Sequence, residues 1–129
     1  MDVNWLAVAA AATSSFLLGG VWYAALFAKP HQSAAGLSDE QVKGGNPAFI
    51  FGGSFALALI ASASFAMFLG KVDAATGALY GFTAGLCWVT ASFGINYLFE
   101  RKPLALFLIN GGYHTLQFTL IGLILGAWH

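Results

Sequence analysis

One histidine opens the question of what this chain does. His114 sits about 11 residues into an uncharged stretch, so about 16 Å deep if that stretch is a helix rising about 1.5 Å per residue through a membrane. Ionisable side chains at that depth are costly and face a protein interior or a wet cavity. Asn110, Tyr113, His114 and Gln117 follow i, i+3, i+4, i+7 spacing, which gathers an amide, a phenol, an imidazole and a second amide on one helix face. Such a stripe can bind a polar ligand or line a pathway. It can equally bond helix to helix, each contact contributing about 0.6–2 kcal/mol. Trp22 and Tyr23, about five residues inside the end of an earlier apolar helix of about 1.5 Å rise per residue, join the stripe as candidates for ligand contact or packing. Thr83, Cys87 and Thr90 form a milder polar stripe, and Thr13, Ser14 and Ser15 fall near mid-depth of the first apolar stretch. Cys87 taken alone is expected to be a small packing residue, and Trp88, near mid-membrane, to pack.

Catalytic chemistry finds little support. The carboxylates are Asp2, Asp39, Glu40, Asp73 and Glu100, all at the edges of apolar stretches, so no general acid–base pair forms at depth. A metal site needs three or four His, Cys or carboxylate ligands, and only His114 and Cys87 are available inside. No catalytic residue, metal or cofactor is therefore expected. A membrane enzyme or cofactor binder using His114, with Cys87 at similar depth, is the weakest of three functional readings. His31 and His129 lie in a connection and at the tail, where solvation is expected.

The elements that would position the stripe follow from the charges. The chain has 129 residues, of which 59% are hydrophobic and 8% charged, five Lys/Arg against five Asp/Glu. Its mean hydropathy is +0.77. A soluble domain is about 25% charged, and disorder requires low hydrophobicity with high net charge. Nucleic-acid binding is excluded as well, because phosphate contacts need clustered Lys/Arg. The ten charges isolate Val3–Ala28, Gly44–Gly70, Ala74–Phe99 and Pro103–Trp128. Each stretch has about 23 to 27 residues, where about 20 suffice to cross the hydrocarbon core. The expected fold is an all-α integral membrane protein, one domain over 1–129 with four transmembrane helices in a compact bundle. The spans are placed at about 4–28, 47–69, 74–99 and 103–128, with the connection 29–46 between the first two. Four buried helices of a soluble protein would need polar outer stripes, and none is available.

The first stretch has no Lys or Arg before Lys29, unlike a secretory signal with its basic n-region, and is read as a retained span. In the connection, Ser38-Asp39-Glu40-Gln41 matches a capping box for a short surface helix, and Pro47 suits the first position of the second span. The connections 29–46 and 100–103 share one face and hold Lys29, Lys43, Arg101 and Lys102; the other face holds only Lys71. The positive-inside rule then puts both termini outside and the connection 29–46 in the cytoplasm.

Helices in a bilayer associate through close packing of small residues. Such strips occur at Ser15 and Gly19, at Ser54, Ala58, Ser62, Ala66 and Gly70, at Gly77, Gly81 and Gly85, and at Gly122 and Gly126. With the strips inward, most of the twelve Phe face lipid; a strip could instead face another subunit. Trp5, Trp22, Tyr23, Tyr97 and Trp128 fall near span ends, where aromatics anchor to headgroups. Two pseudo-repeated hairpins are also suggested. Gly20-Val21-Trp22-Tyr23 with Leu26-Phe27 and Lys29-Pro30 parallels Gly94-Ile95-Asn96-Tyr97 with Leu98-Phe99 and Lys102-Pro103, and Gly52-Gly53 parallels Gly111-Gly112. Either a duplication or chance likeness among apolar segments accounts for the parallel.

Gly20-Val21-Trp22-Tyr23-Ala24-Ala25-Leu26-Phe27-Ala28-Lys29-Pro30 resembles the Gly-x-x-Trp-Tyr…Phe-x-Lys opening motif of small bacterial four-span proteins catalogued as domain of unknown function 1761. Glu100-Arg101-Lys102-Pro103, Ile109-Asn110-Gly111-Gly112-Tyr113-His114 and the Gly126-Ala127-Trp128 ending resemble that family's second half. The likeness covers nearly the whole chain. It departs at His31, which stands where the pattern has an aromatic, usually Trp. The resemblance implies four spans and a bacterial cytoplasmic (inner) membrane, and no activity. With the lipid bilayer as the first partner and nucleic acid excluded, two readings lead. One is a homo-oligomeric permeation or small-ligand-binding protein using Asn110, Tyr113, His114, Gln117, Trp22 and Tyr23. The other is an accessory or structural subunit of a larger membrane complex, suggested by the many small-residue strips and short loops.

Overall fold

The computed structural model describes residues 2–129. Its four long apolar helices run over Trp5–Leu26, Pro47–Leu69, Ala74–Glu100 and Leu104–Ala127, and are called here the first to fourth spans. Each is long enough to cross a bilayer, and they pack against one another as a four-helix membrane protein. Their starts are set by short polar side chains that satisfy the free N–H groups of the first turn. Asn4 accepts from the Leu6 and Ala7 amides, Asn46 from those of Ala48 and Phe49, and Asp73 from that of Thr76. Pro47 occupies the first turn of the second span. The turns between spans rely on left-handed residues: Gly70 at φ 67° before the third span and Arg101 at φ 57° before the fourth.

The Ser38 capping box opens a short helix, Asp39–Lys43, as expected. A second helix, Ala28–Ala35, is new. It follows the first span after one residue, Phe27, leaves helical geometry, and it ends at Gly36 in the left-handed region at φ 73°. Composition hid it, because Ala28-Lys29-Pro30-His31 looks like a chain leaving a membrane. In fact Pro30 falls in the first turn, where it costs no hydrogen bond, and the helix lies against the start of the fourth span. Gln32 donates to the Asp39 carboxylate at 2.7 Å and ties the two short helices together.

Glycine decides the tightest seam. The third and fourth spans run antiparallel with backbone on backbone. A Cβ at Gly77 would overlap the Gly122 carbonyl, one at Gly81 the Phe118 carbonyl, and one at Gly126 the Asp73 carbonyl. At Gly85 a Cβ would meet the His114 carbonyl at 2.7 Å. This is the close approach that small residues permit between helices in lipid. The strip continues to Thr90, which donates to the Gly111 carbonyl at 3.0 Å. Between Gly85 and Thr90 the third span forms a π turn over Ala84–Thr90. The wider turn splits the anticipated Thr83–Cys87–Thr90 stripe. Thr90 is buried against the fourth span, while Thr83, Cys87 and Trp88 are turned outward and exposed. The expectations that Cys87 and Trp88 pack inside are thereby corrected.

The other seams are looser. The first span packs on the fourth through Ala7, Val8 and Ala11 against Ile121 and Leu125, with Leu69 of the second span completing this core. The second span leans on the first, burying Ala58 and Ser62, while Ser54 and Gly70 of its small-residue strip stay exposed. The spatial order is therefore second, first, fourth, third, and the second and third spans are separated by a cleft. A strict pseudo-two-fold relating the hairpins would repeat the first–fourth seam between the third and second. No comparable seam is made there among the described residues, so the hairpins differ in packing even where their sequences run parallel.

Candidate functional site

The predicted stripe on the fourth span is the centre of a hydrogen-bonded and aromatic assembly that draws in the first and third spans. Asn110 bridges two neighbours: it accepts from the Tyr23 hydroxyl and donates to the Tyr97 hydroxyl, each at 2.6 Å. Tyr113 donates to the Ser15 carbonyl at 3.0 Å. The Ser15 hydroxyl donates to Gln117 Oε1. The Gln117 amide nitrogen then faces His114 Nδ1 at 2.6 Å. With its oxygen already accepting, Gln117 donates there, which makes His114 the neutral Nε2–H tautomer. His114 Nε2 has no hydrogen-bond partner among the described residues. It is not sealed either, because Ser62 Oγ is the buried side-chain polar atom without a partner among the described residues.

Rings form a continuous row beside these bonds. His31 meets Tyr23 edge-on at 4.9 Å between centroids, Tyr23 meets Tyr113 at 5.2 Å, and Tyr113 meets His114 at 5.1 Å. His114 in turn stacks on Phe93 of the third span at 4.8 Å with the planes 14° apart. Edge-to-face and offset contacts of this kind suit the charge distribution of the rings.

Tyr23, His31, Phe93, Asn110, Tyr113 and His114 wall one cleft of about 410 Å³. Gly19 and Gly20 form its floor, and Ile50, Phe51 and Ser54 of the second span close one side. A Cβ at Gly20 would enter open space, so it is the absence of side chains there that leaves room. The volume lies within the range of about 300–1,000 Å³ usual for small-molecule sites. No Lys, Arg, Asp or Glu lines it. Among the described residues no three His, Cys, Asp or Glu side chains come together as a metal site would require.

The structure thus brings Tyr23, Asn110, Tyr113 and His114 to the cleft wall and places Trp22 and Gln117 elsewhere. Gln117 is buried behind His114 and orients it. Trp22 lies across the fourth span, where its indole donates to the Ile109 carbonyl at 2.8 Å and a Cβ at Gly112 would press on its ring at 2.9 Å. A π turn over Val21–Leu26, closed by the Phe27 amide on the Trp22 carbonyl, lets Trp22 and Tyr23, adjacent in sequence, both reach the fourth span. Gly111 and Gly112 serve opposite neighbours, one admitting Thr90 and the other Trp22.

His31, expected to be solvated, is half-buried on Tyr23. Burial holds its imidazole below the ordinary 6.5. The likeness of Lys29-Pro30-His31 to a motif with an aromatic at this place carried the one available signal. Phe16, Phe51 and Phe93 gave none, being ordinary members of apolar stretches. Tyr97 was read as a headgroup anchor and instead bonds Asn110.

A second cleft, of about 580 Å³, lies between the second and third spans toward the face that carries the termini. Phe65, Phe68, Tyr80 and Trp88 wall it and Phe118 forms its back. Two of its three hydroxyls are spent on their own helices, Ser64 on the Ala61 carbonyl and Thr83 on the Leu79 carbonyl, and the third is the Tyr80 phenol. Trp88 and Val89 wall both this cleft and a shallow hollow that reaches Phe93, which also walls the polar cleft. The three hollows adjoin through these shared wall residues and are together called here the groove.

A family model described as a protein of unknown function (DUF1761) matches residues 6–126. The chain belongs to that family. No curated protein and no solved structure matches it.

Proposed function

We propose that this DUF1761 chain is a small-ligand-binding protein of the bacterial inner membrane, active as a homo-oligomer, whose site is the cleft walled by Tyr23, Asn110, Tyr113 and His114. One observation carries the reading. A neutral imidazole is oriented from behind by Ser15 and Gln117 and keeps a free Nε2–H beside a cavity large enough for a ligand. Hydrogen bonds that served only to hold helices together would spend that donor on a neighbouring span, because an unpaired polar group in hydrocarbon is costly. Binding is favoured over permeation because the groove opens sideways between the second and third spans.

Native mass spectrometry of the protein released from its own membrane tests the reading. The expected result is a small-molecule adduct on wild-type oligomers that His114→Leu abolishes. Release without an adduct, but together with other polypeptides, would instead mark an accessory subunit of a larger complex. In the proposed orientation the face with Ala28–Ala35 is cytoplasmic and both termini are outside. A cysteine at Ser33 in a Cys87→Ala background should then react with an impermeant maleimide only after the membrane is opened. Labelling of intact cells would reverse the assignment.

A further inference from the structure

We propose that the ligand of this groove is a membrane quinone: its flat, neutral head sits in the polar cleft against His114 and its single apolar chain runs along the groove between the second and third spans. The inference rests on reading the polar cleft as a ligand site and names the class of molecule it takes.

Charge narrows the head first. No cationic or anionic side chain walls any part of the groove. A phosphate or carboxylate head would be buried without a partner, at a cost of several kcal/mol or more. Phospholipids and fatty acids are disfavoured on that ground.

The free hydrogen-bonding capacity narrows it further. The Tyr23 and Tyr113 hydroxyls donate to Asn110 and to the Ser15 carbonyl, and the Asn110 amide donates to Tyr97. His114 Nε2–H and the second N–H of the Asn110 amide are left, and the His31 imidazole likewise has no hydrogen bond within the described chain. These two imidazoles end the row His31, Tyr23, Tyr113, His114. A carbonyl oxygen is the acceptor a neutral imidazole N–H lacks. A ring with carbonyls on opposite edges offers one acceptor toward each end of the row. Phe16, Phe51 and Phe93, which complete the walls, offer ring faces and edges to a flat head.

The tail follows from the rest of the groove. From Phe93 past Trp88 and Val89 to Phe65 and Phe68 the walls are mainly apolar; the Ser64, Thr83 and Ser92 hydroxyls are bonded to their own helices, and the Tyr80 hydroxyl and Asn96 amide are the remaining polar groups on them. A chain lying there meets mainly aromatic and aliphatic surface. Lipid tails are as apolar as the groove, so the chain gains little by leaving them. Its role is to let a head on a membrane-dissolved molecule reach a site that opens to the bilayer.

The test uses the full chain in phosphatidylcholine nanodiscs, with tryptophan quenching as readout and concentrations expressed per lipid. The probes are decylubiquinone and the tail-less 2,3-dimethoxy-5-methylbenzoquinone. Both should quench saturably in wild type, and His114→Leu should abolish both responses. Thr83→Phe, placed on the exposed groove wall, should weaken the tailed probe about tenfold, equivalent to about 1.4 kcal/mol, and leave the tail-less one unchanged. Ser64→Leu is the second groove-filling variant should Thr83→Phe fail to fold. Equal binding of the tailed probe to wild type and the groove variants would overturn the tail path. Displacement by monooleoylglycerol as efficient as by the quinone would overturn the ring-headed assignment. Binding of neither quinone would overturn the inference whole, while the ligand-site reading would still stand if native adducts disappear in His114→Leu.

Discussion

The third–fourth seam and the gap between the second and third spans face the same bilayer and have opposite construction. In the seam, Gly77, Gly81 and Gly85 lie directly on the backbone of the fourth span, and Gly122 and Gly126 return the contact. In the gap, Phe65, Phe68, Tyr80 and Trp88 stand apart around open volume. Gly52 and Gly53 of the second span, a glycine pair much like Gly111-Gly112, would meet nothing within 4 Å if given a Cβ. Small residues therefore do not by themselves make a helix contact. They make one where a partner backbone arrives in register, and elsewhere they leave space. The tight seam fixes the fourth span, and the fixed fourth span holds the stripe with His114 at the edge of the open region.

The largest effect should come from filling the seam. Gly81→Leu and Gly122→Val force side chains into backbone, and a loss at or above the upper end of about 1–3 kcal/mol is expected. Gly53→Leu, on the open side, should change stability by no more than about 0.5 kcal/mol. Unfolding in detergent measures the difference, and equal losses at the two places would remove the distinction drawn between them.

A smaller effect is expected from the bonds that join seam to cleft. Gln117→Leu removes the acceptor for Ser15 and the donor to His114, and should cost about 1–2 kcal/mol. It should also release the tautomer: the His114 ring nitrogens, observed by nitrogen-15 NMR, should pass from a single Nε2–H form to a mixture. A stability loss with an unchanged tautomer would show that His114 is oriented by its stacking on Phe93 instead.

The smallest effect concerns the helix Ala28–Ala35 at the mouth of the cleft. Burial lowers the His31 value below 6.5, so the undocked helix binds protons more readily than the docked one. Docking is then fully present above pH 6.5 and is lost as pH falls below it. Hydrogen exchange of Ala28–Ala35, referenced to the helix Asp39–Lys43, should show protection declining on acidification. His31→Phe should keep the ring contact with Tyr23 and abolish the pH dependence. Persistence of the dependence in that variant would assign it to another group.

Much of this molecule is legible in its sequence because hydrocarbon is an unforgiving solvent. Ten charges placed only at the edges of four apolar stretches fix the number of spans. Asn46-Pro47 and Ser38 with Gln41 mark helix starts through local hydrogen bonds, and those do not depend on the fold. The stripe Asn110, Tyr113, His114 and Gln117 follows from helical spacing alone. The tertiary structure decided the division of labour within that stripe. Gln117 lies behind His114 because Ser15 arrives opposite it, and Trp22 clasps the fourth span because Gly112 leaves room. The π turns moved Cys87 and Trp88 outward and brought Trp22 and Tyr23 to one side, and an inserted turn residue leaves no periodic signal in an apolar segment. Which seam closes and which stays open was equally hidden, since glycines and alanines recur on every span. Side-chain identity states what a helix face can tolerate, and only the arrangement of all four helices states what it meets.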